Sequence, residues 1–352
     1  MKDYLLLDKI ANMVSYFTTM TTKRSLALLL LLSCAFDASI AQQTYAEKLG
    51  FPKEAKVLIL HVDDAGMSWD SNEGAIQAIE KGVATSVSVM MPCPWVPGFL
   101  RYLKEHPAVD AGLHLTLTSE WKNYRWGPLT GKPASPGLVD SVGSLWPSVE
   151  DVVKHAKPEE VDSEIRAQLE RARSTGFEPT HLDSHMGTLF ATPEFMQLYI
   201  RLGIESKIPV MMPGGHNTMI GKQMNTAPAL QAQLLQVGQM LWNAGLPVLD
   251  DLHNVSYGWQ YPSDKNTADA SLQKFATSKY IETIKTLKPG LTMVIMHCTS
   301  PTQVFGMISD SGTTRKGDLL AMTDPAFKKF LQQEGIILTT WREVMKRRQE
   351  VK

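Results

Sequence analysis

The chain has 352 residues, 43% of them hydrophobic and 20% charged, with a formal net charge of −1. That is the profile of a globular protein long enough for a sizeable core. A charge so near zero offers no basic field for nucleic acid, and there is no low-complexity tract or repeat of solenoid period.

The first predicted element is a targeting segment. "TTKRSLALLLLLSCAFDASIAQQ" sets Lys23 and Arg24 before an apolar stretch and Ser39-Ile40-Ala41 before Gln42, the layout of a secretory signal. The apolar stretch, about a dozen residues, is short for a membrane span. Met20 stands just before it and is an alternative start. The expectation is export to the periplasm or beyond, loss of residues 1–41, and a single domain over residues 42–352. "LLSC", ending at Cys34, also resembles a lipoprotein box, so a lipid anchor at Cys34 is an alternative. Past this segment only Cys93 and Cys298 remain. They are too few for a disulfide framework and read as unpaired core residues, with a single bridge as the lesser alternative.

From residue 56 strands and helices alternate. Val57 to Val62 reads as a buried strand. Residues 72–82 carry Ile76 and Ile79 at helical spacing and stop at Gly82. Residues 83–92 form a second strand, ended by Pro92, and 110–118 a third. Residues 157–176 form a strong helix, with Pro158 near its start, Val161, Ile165 and Leu169 on one face, and Gly176 as the stop. Strands follow at 179–185 and 291–297, then a capped helix at 324–335 and a last strand at 336–341. This alternation predicts an α/β fold around a parallel sheet buried on both faces, with active residues at the C-terminal strand ends. Residues 211–270, rich in Met, Gln, Asn and Gly, fit the alternation worst and read as an insertion near the barrel mouth.

The polar residues at those strand ends are of particular types. Asp63 and Asp64 close the first strand, and His114 alternates with Leu113 and Leu115 in the third. His181, Asp183 and His185 share one face of the fourth, and His297 ends the next. Two histidines and a carboxylate make a metal set with open positions. One aspartate can bind the ion, whose charge offsets the repulsion, and leave the other as a general base. The simpler reading is that Asp64 or Ser68 caps the following helix. His106, His155 and His216 read as surface residues.

At these residues the sequence resembles a known family. "LILHVDDAGMS", "GVATSVSVMMP", "VDAGLHLTLT", "EPTHLDSHMG" and "MVIMHC" follow the order found in the YdjC-like carbohydrate deacetylases, which include the chitooligosaccharide deacetylases. The resemblance runs over roughly residues 56–345. It implies a distorted (β/α) barrel of the polysaccharide-deacetylase type and removal of acetyl groups from N-acetylated sugars with one divalent metal ion, Zn2+ or Mg2+. It matches Asp64, His114 and His185 to the metal ligands, Asp63 to the general base, and His297 to a candidate general acid. His181 and Asp183 then orient ligands. The chain departs from the family pattern where Gly187 replaces the second histidine of "DSHxH", where "HCT" stands for the late "HPG", and where the arginine segment survives only loosely around Arg315.

Trp121, Tyr124 and Trp126 follow the His114 strand and either stack on a sugar or pack their loop onto the barrel, the latter being favoured. Two rival functions remain at this level. His181, Asp183 and His297 also spell the facial triad of iron oxygenases, and a secreted sugar-binding protein with a vestigial site would look similar. The expected partner is an N-acetylated oligosaccharide or glycan, with chitin fragments, peptidoglycan sugars and host glycans all open. The sequence also admits a homodimer.

Overall fold

The computed structural model describes residues 43–253, 256–261 and 268–351. The expected signal segment, with Met20, Cys34 and the cleavage point after Ala41, lies outside the described residues.

Among the described residues, seven strands form one sheet: β1 (Lys56–Ala65), β2 (Ser86–Val89), β3 (Ala111–Leu115), β4 (Leu182–Ser184), β5 (Asp251–His253), β6 (Gly290–Met296) and β7 (Ile337–Leu338). Their order is β4-β3-β2-β1-β6-β5, with β7 beside the start of β1, and every pairing is parallel. Parallel neighbours need crossover connections, and helices supply them. The sheet curls into a half-barrel. Its open side is bridged by residues 209–214, where Val210 pairs with Leu182 and Pro213 with Leu249, both in parallel. Those two bridges form an irregular stave between β4 and the approach to β5.

Alternation along the central strands sorts side chains into two cores. Leu58, Leu60 and Val62 of β1 and Val294 and Met296 of β6 pack outward against the helices. Val57 and Ile59, with Leu291, Met293 and Ile295, pack together with Phe51, Met211, Leu249, Trp341 and Val344. Continuing that inner row toward the C-terminal ends, period two arrives at His61 and Asp63 on β1 and at His297 just past β6. An apolar floor therefore underlies a polar mouth.

Helix 69–80 opens three residues earlier than expected because Ser68 caps it, its hydroxyl accepting from Ser71 N at 3.0 Å. The expected last strand, 336–341, is only Ile337–Leu338. Thr340 instead caps a helix that starts at Trp341, accepting from Glu343 N. Residues 211–270 divide three ways. Met211 to Gly214 belong to the barrel wall. Helices Thr218–Gln223 and Pro228–Asn243 sit toward the N-terminal strand ends, where Met219 N donates to Asp251 and His216 lies 3.2 Å from Pro289 O. The part that reaches the mouth is Ser256 to Tyr261, with the Tyr257 ring 4.7 Å from His297. The placement near the mouth thus holds for that last stretch; the first helix lies elsewhere because its N-terminus bonds to Asp251 at the start of β5, and Gln231 of the second donates to His216 O beside it. Cys93 and Cys298 are both free and buried.

Gly74 links this scaffold to the mouth. A Cβ there would come within 2.4 Å of Cys298 O and Thr299 Cα, so helix 69–80 packs directly on the backbone that follows His297. Alanine is the better helix former by about 1 kcal/mol, yet Gly74→Ala is expected to destabilise the fold by about 1–3 kcal/mol through this overlap. Urea unfolding checks it, and an unchanged or raised midpoint would show looser packing there.

Candidate metal centre and active site

Adjacent residues of a regular strand point to opposite faces, so Asp63 and Asp64 could not both reach one mouth. The β1–β2 register slips by one residue between Val62 and Ala65, and Asp64 adopts a φ of 68°. This bulge turns Asp64 to the side that Asp63 already faces. A left-handed conformation at a non-glycine residue costs on the order of 1–3 kcal/mol and marks functional sites. It is held by the tight turn that follows, where Met67 N donates to Asp64 O and Gly66 N to Asn72 Oδ1 at 2.7 Å.

Asp64 Oδ1 lies 3.3 Å from both His114 Nε2 and His185 Nδ1, and those two nitrogens are 3.2 Å apart. All three residues are buried, and their ligand atoms lie within 4.8 Å of one another. Asp64 Oδ1 has no hydrogen-bond partner among the described residues. An orphaned carboxylate oxygen between two imidazoles fits a divalent cation: the donor set is right for zinc, and a three-residue set leaves positions open. β4 ends at Ser184, so His185 opens a short 3-10 turn rather than ending a strand. Met186 and Gly187 take left-handed conformations just after it.

A second layer orients these groups. His114 Nδ1 lies 2.6 Å from Asp183 Oδ1, so the proton sits on Nδ1 and Nε2 is free to face the centre. Glu120 does the corresponding work for His185, its oxygens 3.1 and 3.2 Å from Nε2. Arg315 Nη2 holds Asp64 Oδ2 at 2.7 Å, while its Nε donates to Ser311. His61 stands below, 2.9 Å from Asp183 Oδ2 and 3.1 Å from Asp63 Oδ1. Asp63 Oδ2 faces upward, 3.8 Å from His114 Nε2 and from His297 Nε2. His297 is set by its backbone N–H, which donates to Asp318 Oδ2 at 2.9 Å, and Tyr280 O–H donates to the other oxygen of Asp318 at 2.7 Å.

The protonation states follow from this packing. Burial alone would raise the Asp64 carboxyl, but Arg315, then His114 and His185, hold it well below the usual carboxylate range. Burial lowers the imidazoles, yet Asp183 and Asp63 carry His114 well above its ordinary value, and Glu120 and Asp64 carry His185 to about 9. Burial wins at His297, pushing it down to about 4, so its ring is neutral near pH 7. Asp318 is raised to about 6 by the same cause. The excess protons on His114 and His185 are those a cation would displace.

The structure brings Asp63, Asp64, His114, His185 and His297 to one mouth. His181 lies apart from His297: it is buried with its ring stacked on Trp341 at 5.2 Å, and among the described residues no candidate metal group includes His297. The facial triad of an iron oxygenase is therefore not assembled. Trp126 is 5% exposed with its Nε1 donating to Thr118 O, and Tyr124 O–H donates to Met67 O, so both pack the loop down. Sequence reasoning passed over Glu120 and Asp318 and did not single out His61. Only His61 carried a usable signal, a histidine two positions before Asp63 in an otherwise apolar strand.

A family model described as YdjC-like protein matches residues 57–333. A carbohydrate deacetylase of Thermus thermophilus is 30% identical over 300 residues, covering 85% of this chain and 97% of that protein. A chitooligosaccharide deacetylase of Yersinia enterocolitica is 29% identical over 175 residues, covering 49% of this chain and 65% of its own. Among solved structures, a proposed cellobiose-phosphate cleavage protein of Enterococcus faecalis V583 has the same fold, with a TM-score of 0.64 at 19% identity, covering 82% of this chain and 99% of that one.

Asp183→Asn removes the charge that fixes the tautomer of His114. Zinc affinity, read by competition with a chromophoric chelator, is expected to fall by about 10- to 100-fold. An unchanged affinity would show that His114 needs no such partner.

Proposed function

We propose, given that this chain belongs to the YdjC-like family, that it is a hydrolase that removes acetyl groups from N-acetylated sugars and depends on a divalent metal ion. The observation that carries this reading is the buried Asp64–His114–His185 cluster with Asp63 beside it. Asp64 Oδ1, His114 Nε2 and His185 Nδ1 would hold the ion. When bound, it acts as a Lewis acid on the acetyl carbonyl and acidifies the attacking water.

The chain's own residues supply the proton transfers. Asp63 Oδ2, between His114 and His297, accepts the proton of the attacking water. His297 Nε2, 3.8 Å from that oxygen, delivers a proton to the departing amine, which cannot leave as an anion. Because His297 is neutral at rest, it must first be charged, and Asp63 is the proton-bearing group beside it after water attack. Arg315 keeps Asp64 ionised, and Asp318 keeps the His297 backbone in place. Zinc suits two histidines and an aspartate, and magnesium is the alternative. The layout of residues 1–41 supports export.

A binding protein with a vestigial site is the poorer reading, since binding alone requires no carboxylate placed as Asp63 is. The test is acetate release from N-acetylglucosamine oligomers and peptidoglycan fragments by residues 42–352, with and without chelator. Release should be chelator-sensitive, and Asp63→Asn should lower it by about 100-fold or more. No release from any acetylated sugar by metal-loaded protein would remove the deacetylase assignment.

A further inference from the structure

We propose that His61 is a positioning residue for this reaction: one imidazole on the inner face of β1 sets the Asp63 carboxylate. The inference rests on the reading of Asp63 as the general base.

His61 is fully buried and is fixed from several sides. Ser86 Oγ lies 3.0 Å from its Nδ1 and Ser88 Oγ 3.1 Å from its Nε2, both serines coming from the same face of β2. The edge of its ring meets His181 at 4.9 Å, and His181 in turn stacks on Trp341. The ring is thus a wedge with little freedom to rotate.

Its Nε2 stands between two carboxylates, 2.9 Å from Asp183 Oδ2 and 3.1 Å from Asp63 Oδ1. Neither oxygen has an aligned hydrogen-bond partner among the described residues. Asp63 and Asp183 would therefore repel each other across a dry gap without this ring between them. Each carboxylate also has a second oxygen with a task. Asp183 Oδ1 holds His114 Nδ1, and Asp63 Oδ2 faces the mouth. Drawing Oδ1 of Asp63 down toward His61 is what turns Oδ2 up. A lysine or arginine could supply the charge but not the flat, short wedge between two strands, which is why the residue type matters.

The experiment compares wild type, His61→Leu, His61→Gln and Asp183→Asn for kcat, KM, zinc affinity and stoichiometry, thermal midpoint and the zinc-loaded crystal structure. His61→Leu is expected to lose about 100-fold in kcat, with KM and zinc affinity within about threefold of wild type. His61→Gln, whose amide N–H reaches toward the same oxygens, should recover part of that loss. Asp183→Asn should instead lose zinc affinity. In the His61→Leu crystal the Asp63 carboxylate should turn away from His114.

The inference is overturned by wild-type kcat in His61→Leu, by an unmoved Asp63, or by zinc affinity falling in parallel with kcat. Two zinc ions per wild-type chain would also overturn it, because His61, His181 and Asp183 would then be ligands themselves. Should His61→Leu fail to fold, kcat and the Asp63 position in His61→Gln decide, and values equal to wild type overturn it. A wild type inert toward every acetylated sugar would count against the deacetylase reading instead, and the position of Asp63 in the crystals still judges His61.

Discussion

Asp63 and Asp64 are adjacent, buried and turned to one side, and Asp183 and Glu120 bring two more carboxylates within reach of the same two histidines. Burying one unpaired carboxylate is already costly. Almost every unusual feature of the mouth answers this concentration of negative charge. Arg315 takes the outer oxygen of Asp64, while His114 and His185 crowd the inner one. His61 separates Asp63 from Asp183. The bulge at Val62–Ala65 and the left-handed Asp64 are the backbone side of the same solution, since without them the second carboxylate would point into the outer, apolar core.

The scaffold is arranged to make that possible. On the inner face the same period-two row runs from Val57 and Ile59 to His61 and Asp63, so one strand is both floor and active surface. Helix 312–322 contributes twice from a single turn: Arg315 reaches Asp64, and Asp318, three positions on, reaches the His297 backbone. Asp318 also accepts from Tyr280 and faces Ser256 and Tyr261, which ties the stretch at the mouth to the same helix. The Asp64 side and the His297 side of the site are therefore braced by one rigid element.

Much of this was legible in the sequence, for stated physical reasons. The apolar runs followed by Asp or His are strands whose ends meet at one rim, and that pattern survives without coordinates. The family motifs named the cluster residues that the structure gathers. What escaped was whatever depends on long-range packing. Glu120 closes a polar run with no period, and Asp318 lies in a helix whose composition resembles a surface helix, though it is buried. Helix 96–105 was hidden by Pro97 and Gly98, which are tolerated because they fall in its first turn. Residues 211–270 were read as one insertion because the bridges at Val210 and Pro213 are single pairs, too brief to leave an alternating pattern.

The placement of β1 bears on how the protein comes to be active. This strand holds Asp63 and Asp64 near the beginning of the chain, yet two of its three strand partners, β6 and β7, and the arginine clamped to Asp64 come from the last quarter. Contacts of such high sequence separation form late in folding and slow it, because the intervening loop must close before they reward it. Until the C-terminal region arrives, β1 is a strand with an unpaired edge and a buried charge pair lacking its counterion. A chain cut short before residue 290 would lose β6, β7 and Arg315 together, and with them two edge partners of β1 and the counterion of Asp64.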